Sequence, residues 1–210
     1  MLPELFPELL ITILLVSVSY MVGGIPAAYL GGRIRGGIDI RNHGNGNVGT
    51  VNAVRTLGMR DGLLVLAADA AKGAVVIGVG RLAGIPDYTL FAMAIAVTAG
   101  HNWSPYIGFK GGKGVAVIFG ISVAMAPLQS MLAGPVVFGV YFVTRSWVWA
   151  FGAGILAINA IFVAVSAPGL CIALCLVLSV MVIATHLGRE SGELKQALLD
   201  RNWRKVGLLE

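Results

Sequence analysis

Charged residues are scarce in this chain of 210 residues. Lys, Arg, Asp and Glu make up 12% of it, hydrophobic residues make up 57%, and the mean hydropathy is +0.86. An ordinary soluble domain contains about 25% charged and roughly 45–50% apolar residues. A chain this apolar cannot cover itself with polar surface, which excludes a soluble globular enzyme, a disordered chain and a nucleic-acid-binding domain. The composition therefore predicts an integral membrane protein.

Cysteines, strand-like patterns and a signal peptide are also lacking. The two cysteines, Cys171 and Cys175, are four residues apart in an apolar run, which predicts buried thiols on one helix face rather than a disulfide or metal site. No apolar run alternates with a period of two, which disfavours a β-barrel. The first eight residues contain no Lys or Arg, so we interpret the following apolar run as a retained span.

Long apolar runs fill most of the chain. A helix needs about 20 apolar residues to cross a bilayer. We place spans near residues 8–30, 62–82, 86–103, 115–126, 128–144, 147–167 and 169–187. The stretch 115–126 is short of a full crossing and ends before Pro127, which favours a tilted, broken or partial helix. We predict an all-α polytopic membrane protein with about seven transmembrane helices and a single domain over residues 1–210.

The positive charges predict the orientation of these spans. With seven spans, thirteen of the fifteen Lys and Arg residues share one side, whereas Arg81 faces the other side and Lys72 lies within a span. The thirteen are Arg33, Arg35, Arg41, Arg55, Arg60, Lys110, Lys113, Arg145, Arg189, Lys195, Arg201, Arg204 and Lys205. Because cytoplasmic loops carry an excess of Lys and Arg, the C-terminus is predicted to be cytoplasmic and the N-terminus outside.

Two polar, glycine-rich segments fall on the predicted cytoplasmic side. We call them segment one (residues 41–55) and segment two (residues 100–114). Segment two ends in Gly111-Gly112-Lys113-Gly114 directly before an apolar helix. Glycines let backbone N–H groups converge on an anion, and a helix N-terminus adds roughly half a positive charge. With Lys110 and Lys113, this pattern predicts a phosphate cradle, although a flexible turn with two topology-setting lysines is the alternative. It is not a magnesium-binding P-loop, because Gly114 stands where Ser or Thr is needed.

Segment one, residues 41–55, is dense in hydrogen-bonding groups. It joins Arg41 and Arg55 to four asparagines, Asn42, Asn45, Asn47 and Asn52, and Gly44, Gly46 and Gly49 permit tight turns. Arginine forks match phosphate oxygens, and carboxamides bind hydroxyl groups through either end. The alternative is a solvated loop whose arginines set topology. Two phosphate-compatible clusters on one side indicate two phosphorylated ligands, or one ligand held from both ends.

A few ionisable groups lie near or within spans. Asp69 and Lys72 are three residues apart on one helix face, which predicts either an ion pair or a pair that supports a site. His101 and His186 lie at predicted cytoplasmic ends of spans, where a histidine is more often an anchor than a base. The aromatic residues Trp103, Tyr106, Trp147 and Trp149 fit an interfacial belt.

These motifs resemble those of a known family. Asp39-Ile40-Arg41, Gly44-Asn45-Gly46-Asn47-Val48-Gly49, Asn52 and Arg55 resemble the first motif of the bacterial acyl-phosphate-dependent glycerol-3-phosphate acyltransferases (PlsY). Gly100-His101 and Phe109-Lys110-Gly111-Gly112-Lys113-Gly114-Val115-Ala116 resemble the second, and Asp69 and Lys72-Gly73 match a similar pair. Asn45 replaces the family's Ser, and His186 with Glu190 only loosely matches the third motif.

The resemblance implies a seven-span enzyme of the bacterial plasma (inner) membrane with its site on the cytoplasmic face. It implies acyl transfer from acyl phosphate to the sn-1 hydroxyl of glycerol 3-phosphate, giving lysophosphatidic acid, with no cofactor or metal and no nucleic-acid partner. Membrane lipids and an acyl-phosphate-forming enzyme are its expected partners. The alternatives are a non-catalytic or altered-specificity relative that binds a phosphorylated polyol or lipid head group, and a small anion transporter.

Within this scheme the candidate residues take separate roles. We expect the Gly111–Gly114 backbone and Lys113 to bind the leaving phosphate, with Lys110 as a further phosphate- or substrate-binding candidate. The expected catalytic residues are Lys113, Arg55, Asn47 and His101. Arg41 and Arg55 are expected to bind the acceptor's phosphate, while Asn47 and Asn52 orient its hydroxyl groups. The acceptor proton passes to a phosphate oxygen or to His101. Further candidates are Asn45, Gly46 and His186 for substrate binding, with Asp69 and Lys72 in support.

Overall fold

The structure is a computed structural model, and it describes residues 2–199. The α-helices within this range are α1 (Leu2–Gly24), α2 (Ala27–Gly31), α3 (Thr50–Leu57), α4 (Met59–Leu82), α5 (Asp87–Asn102), α6 (Val115–Met125), α7 (Pro127–Thr144), α8 (Trp147–Ala164) and α9 (Gly169–Leu199). A π-helical turn covers Gly32–Gly36, and 3₁₀ turns cover Ile40–Asn42 and Pro105–Ile107. No strand occurs among residues 2–199, so the predicted all-α class is confirmed.

Each predicted apolar run is helical. Within residues 2–199, four stretches are long and apolar enough to cross a membrane: Pro7–Gly36, Met59–Leu82, Pro127–Thr144 and Gly169–Arg189. Helix α6 is shorter, as predicted, because its 11 residues rise only about 16 Å against a bilayer core of about 30 Å. Arg201, Arg204 and Lys205, which contribute to the predicted orientation, lie outside the described residues.

The first predicted span is interrupted. The span predicted near residues 8–30 lies within the apolar stretch Pro7–Gly36, but its helix is broken, because α1 ends at Gly24 and a new helix starts at Ala27. Pro26 lies between them. Proline has no N–H to donate and clashes with the preceding turn, so a helix stops before it. The break leaves the last carbonyl groups of α1 without helical partners.

The chain forms two compact units, Met1–Met125 and Ala126–Glu210. Unit one contains α1 to α6 and both polar segments, and unit two contains α7 to α9. The interpretation of residues 1–210 as a single domain stays a prediction.

Glycines bring α1 and α5 of unit one into close contact. A Cβ atom built on Gly23 would lie 2.0 Å from the carbonyl oxygen of Val97, and one on Gly100 would lie 2.0 Å from that of Tyr20. Such distances admit no side chain. The two helices therefore run in parallel with their backbones touching, and both end at the same end of the unit.

Helices α4 and α6 meet in the same way. A Cβ atom on Gly73 would lie 2.2 Å from the carbonyl oxygen of Val117, and one on Gly120 would lie 1.9 Å from that of Ala70. At the far end, the Arg81 guanidinium donates to the last carbonyls of α6, those of Ala124 (3.0 Å) and Met125 (2.7 Å). Helices α4 and α6 thus run in parallel, and α6 begins beside the middle of α4, near Ala70.

Unit two has an aromatic turn and a polar contact between helices. The Tyr141 ring stacks on Trp147 with centroids 3.9 Å apart, and Trp147 stacks on Phe151 at 5.4 Å. Between α8 and α9, Nδ2 of Asn159 lies 3.0 Å from the Ser179 hydroxyl. Cys171 and Cys175 are free thiols, and both are half-buried rather than buried as predicted.

Candidate active site

Both polar segments lie at one end of unit one. Helices α1 and α5 finish there, α3 begins within segment one, α6 begins directly after segment two, and α4 passes this end at Asp69 and Lys72. Seven cationic residues of the unit belong to this end: Arg33, Arg35, Arg41, Arg55, Arg60, Lys110 and Lys113. Arg81 marks the opposite end. The topology therefore concentrates positive charge around the two segments.

Asn52 organises segment one from inside. Its side chain is fully buried, with 0% exposure. Nδ2 donates to three carbonyls of the segment, those of Ile40 (3.3 Å), His43 (3.0 Å) and Asn47 (3.0 Å). Oδ1 accepts from the backbone N–H of Asn45 at 3.2 Å. The carboxamide is thus used by the loop itself, which sequence reasoning missed because a buried and an exposed asparagine look alike in sequence.

Asn45 forms a turn that keeps segment one compact. Its Oδ1 accepts the N–H of Asn47 at 3.1 Å, two residues ahead, as in an Asx turn. The following Gly46 has φ +73°, a backbone conformation that favours glycine. The side chain of Asn45 is exposed, whereas Asn47 is half-buried and its Nδ2 lies over Gly49. A serine hydroxyl at position 45 would accept the same N–H group.

Arg41 is paired with Asp39 and bridges the two segments. Its Nε lies 3.0 Å from Oδ1 and its Nη2 lies 2.7 Å from Oδ2 of Asp39, and the guanidinium stacks on Tyr29. Nη1 donates to the Ile107 carbonyl at 3.3 Å. The hydrogen bonds from Arg41 lower the pKa of Asp39 from 3.8 to about 2. Most of the donors of Arg41 are therefore committed to protein groups.

The remaining cations of the segments are more accessible. Arg55 is exposed one helical turn after Asn52 on α3, and Lys110 is exposed as well. Lys113 is partly buried, two residues before α6 begins at Val115. Arg55, Lys110 and Lys113 are thus at least partly accessible to solvent.

The backbone N–H groups of Gly111 and Gly112 do not point towards a bound anion, as the predicted phosphate cradle would require. The N–H of Gly111 donates to the Asn102 carbonyl at 3.1 Å, and that of Gly112 donates to the His101 carbonyl at 3.0 Å. Both groups therefore cap the C-terminus of α5 and do not converge on an anion. The first N–H groups of α6 have no acceptor within their own helix. The α6 N-terminus is thus the place where backbone donors can meet a phosphate.

Gly114 makes the turn into α6. Its φ is +87°, and a Cβ atom there would lie 2.7 Å from Oδ1 of Asn102. Both the conformation and the space require glycine. Gly114 therefore shapes the cradle through its backbone.

The two segments meet at Gly112. A Cβ atom on this glycine would lie 2.1 Å from Nε2 of His101 and 3.0 Å from the Val48 carbonyl oxygen. Val48 of segment one and the imidazole of His101 in segment two thus both pack against Gly112 where a side chain would stand. Together with the bond from Arg41 to Ile107, this contact brings both segments to one place.

Asp69 and Lys72 form the expected ion pair beneath the segments. Nζ of Lys72 lies 2.6 Å from Oδ1 of Asp69, and their side chains are only 7% and 2% exposed. Nδ1 of His101, itself buried, lies 3.5 Å from the same oxygen. The ion pair is therefore present and touches a residue of segment two, while its support of a site stays a prediction.

His186 lies on α9 in unit two, where it contacts other residues. The side chain of Glu190 is not among the described ones. Among residues 2–199, no group of three metal-ligating side chains forms a metal site.

Comparison with known proteins identifies relatives along most of the chain. The family model for glycerol-3-phosphate acyltransferase matches residues 13–192. A glycerol-3-phosphate acyltransferase of Geobacter sulfurreducens is 36% identical over 174 residues, which cover 83% of this chain and 89% of the relative. Glycerol-3-phosphate acyltransferase 5 of Dehalococcoides mccartyi is 42% identical over 59% of this chain. Glycerol-3-phosphate acyltransferase 2 of Moorella thermoacetica is 47% identical over 53% of it.

The chain spans about half the length of the last two relatives, 53% and 57% respectively. Among solved structures, it is similar to PlsY, an integral membrane glycerol 3-phosphate acyltransferase, in its glycerol 3-phosphate form. The TM-score is 0.79 at 28% identity, with 90% of this chain and 93% of that chain covered. The lysophosphatidic acid form gives a TM-score of 0.77. The family match over residues 13–192 establishes that this chain belongs to the glycerol-3-phosphate acyltransferase family.

Proposed function

We propose that this protein transfers an acyl group from acyl phosphate to the sn-1 hydroxyl of glycerol 3-phosphate in phospholipid synthesis. Family membership supports the acceptor and the reaction class. The observation that carries the proposal is the meeting of segments one and two at Gly112, with Arg55, Lys110 and Lys113 at the same end of unit one. Two anionic reactants can be held side by side in such a site.

The chemistry needs no cofactor. Acyl phosphate is a mixed anhydride, so the acceptor's oxygen attacks the carbonyl carbon and the bond between that carbon and the phosphate oxygen breaks. The phosphate leaves with the bonding electrons, and the hydroxyl proton passes to a phosphate oxygen. The products are lysophosphatidic acid and inorganic phosphate. Holding both reactants in reach can contribute several kcal/mol, up to about 7–11 kcal/mol for ideal alignment.

In this proposal, the leaving phosphate binds at the N-terminus of α6 beside Lys113. This assignment replaces the amides of Gly111 and Gly112, because those groups donate to carbonyls of α5. Gly114 allows the tight turn into α6, and the exposed Lys110 adds a positive charge at the edge of the proposed site. Preorganised donors aimed at a developing negative charge are worth a few kcal/mol each, roughly 3–4 kcal/mol in measured cases.

The acceptor's phosphate is assigned to Arg55, with Asn47 as the carboxamide that orients a hydroxyl group. Arg41 and Asn52 become positioning residues, because their polar atoms hold segment one together and attach it to segment two. His101 is buried beneath Gly112, which supports a phosphate oxygen rather than this imidazole as the proton acceptor.

We further propose the placement in the bacterial plasma (inner) membrane. Seven spans, with the N-terminus outside and the C-terminus cytoplasmic, would place the cation-rich end of unit one at the cytoplasmic face. The acyl chain would then lie between spans in contact with lipid. An enzyme that forms acyl phosphate would have to supply the donor.

The whole chain is proposed to act as one functional domain. The family model runs over residues 13–192 and therefore across both compact units. His186 stays a substrate-binding candidate on the sequence pattern alone.

An assay of the purified protein tests the proposal. Released inorganic phosphate and lysophosphatidic acid are measured with acyl phosphate or acyl-CoA as donor and with glycerol 3-phosphate or other polyol phosphates as acceptor. We expect equimolar products only with acyl phosphate and glycerol 3-phosphate. Binding of glycerol 3-phosphate without turnover would indicate a non-catalytic relative. Flux across reconstituted vesicles without acyl product would indicate a transporter.

A further inference from the structure

A buried polar cluster lies behind the proposed phosphate site, and the reaction scheme leaves it unused. Its members are Asp69 and Lys72 of α4 and His101 of α5. All three side chains are at most 7% exposed. Ionisable groups buried in a membrane-spanning helix are costly and usually mark function. A buried ion pair is also weak evidence for stability, because its desolvation cost can exceed its attraction.

Lys72 satisfies the broken end of α1. Its Nζ donates to the carbonyl of Gly23 at 3.4 Å and to that of Ile25, and it pairs with Asp69. The hydroxyl of Ser104 donates to the intervening carbonyl of Gly24 at 2.5 Å. These carbonyls are exposed by the helix break at Pro26 and form the negative pole of the α1 dipole. Lys72 therefore balances two sources of negative charge, the carboxylate and the helix end.

Asp69 reaches segment two through His101. Nδ1 of the imidazole lies 3.5 Å from Oδ1 of Asp69, while Nε2 lies directly beneath Gly112. The carbonyl of the same histidine accepts the N–H of Gly112 at 3.0 Å. The orientation of this one residue thus fixes Gly112 from both its backbone and its side chain, one residue before Lys113.

We propose that Asp69 is a positioning residue for acyl transfer. It orients His101 and thereby holds segment two so that Lys113 and the α6 N-terminus are correctly placed to bind the leaving phosphate. The positive charge of Lys72 offsets the negative charge of the Asp69 carboxylate and of the α1 C-terminus, which would otherwise repel the phosphate anion. The inference rests on the proposed function. It assigns the cluster to the placement of the phosphate-binding groups and not to proton transfer.

A double-mutant cycle tests whether Asp69 acts through His101. The variants are Asp69→Asn, His101→Gln and their combination, with Asp87→Asn as the matched control, since this exposed carboxylate begins α5 at the opposite end of unit one. We expect each single variant to lower kcat roughly 10–100-fold, as is usual for partners that orient a functional group. The double variant should be no slower than the slower single variant, and the control should match the wild type.

Contrary results are easy to recognise. Multiplicative losses in the double variant would show that the two residues act independently. A normal kcat in Asp69→Asn with a lowered melting temperature would reduce the cluster to a structural ion pair. If Asp69→Asn fails to fold, Asp69→Asn/Lys72→Met removes both charges and carries the test, with wild-type kcat in that variant overturning the proposal.

Binding of inorganic phosphate separates this inference from the proposed function. Its midpoint is measured from the thermal stabilisation of the protein by added phosphate. We expect Asp69→Asn/Lys72→Met to raise this midpoint at least about tenfold. An unchanged midpoint would overturn the positioning role. A wild type that binds phosphate but makes no acyl product would refute the proposed function while the midpoint still decides the role of the cluster.

Discussion

The carbonyl oxygen of Val48 lies against Gly112, so that a Cβ atom on this glycine would be only 3.0 Å from it. Val48 belongs to segment one and Gly112 belongs to segment two. The two residues are 64 positions apart in sequence, yet they form one wall of the proposed site. A methyl group at Gly112 therefore tests whether the contact matters for activity.

Gly112→Ala should abolish most acyl transfer. The added Cβ would lie 2.1 Å from Nε2 of His101, so either the imidazole or the loop must move. Overpacking of this kind costs about 1–3 kcal/mol of stability. The matched control is Gly78→Ala in α4, where a Cβ meets no atom within 4 Å. Turnover and melting temperature are compared, and normal turnover in Gly112→Ala would contradict the close packing of the segments.

Lys113→Ala should eliminate turnover while the protein stays inserted and folded. The side chain is partly buried beside the α6 N-terminus, where it would neutralise the leaving phosphate. Loss of one such electrostatic group costs about 10²–10³-fold in kcat. Lys113→Arg keeps the charge and should recover part of the rate. Helical content by circular dichroism controls for folding, and a near-normal rate for the alanine variant would refute the assignment.

Arg55→Ala should raise the KM for glycerol 3-phosphate most strongly. Arg55 is exposed on α3 and can offer a guanidinium fork to the acceptor's phosphate. Arg60→Ala is the matched control, because Arg60 is also exposed at the same end of unit one. Initial rates are measured against acceptor concentration at saturating acyl phosphate. An unchanged acceptor curve would remove Arg55 from the site.

The pair of Asp39 and Arg41 predicts a defined pH dependence of stability. Arg41 lowers the pKa of Asp39 from 3.8 to about 2, so the folded state favours the ionised carboxylate. The stabilisation is therefore fully present above pH 3.8 and is lost as the pH falls towards 2. The melting-temperature difference between wild type and Asp39→Asn should be constant near neutrality and shrink below pH 3.8. A difference that does not narrow would contradict the pairing.

Asn45→Ser should be close to neutral. The serine hydroxyl can accept the N–H of Asn47 that Oδ1 of Asn45 accepts now, so the turn is kept. We expect kcat and KM to remain within about threefold, which corresponds to less than 1 kcal/mol. Asn45→Ala, which removes the acceptor, is the comparison that should lose activity. A large gain of activity in Asn45→Ser would show that asparagine alters substrate binding directly.

The positions of the helices were predictable because hydropathy alone determines which segments are apolar. In the sequence, the break between α1 and α2 is marked only by Pro26. A hydropathy profile does not register this proline, because the residues around it are apolar. Helix α6 was predicted to be short, since Pro127 ends an apolar run of fewer than twenty residues. Hydropathy does not predict in which direction the backbone N–H and C=O groups point after a helix ends.

The candidate site was predictable in composition but not in the direction of its donors. Segment one and segment two were both recognised from their residues, and both lie in unit one. The amides of Gly111 and Gly112 point to α5, because the last carbonyls of that helix need donors. Arg41 is held by Asp39, two residues earlier, and this partner was present in the motif without being assigned a role.

The glycine contacts between helices fix the register of each helix pair as well as the distance between the two helices. Where α1 touches α5, and α4 touches α6, a main-chain oxygen fills the place of a side chain, so neither pair can slide by one residue without collision. The spacing between donor and acceptor positions is consequently set when the bundle folds. We therefore expect the distance between the two proposed phosphate sites to be fixed by the packing of the helices.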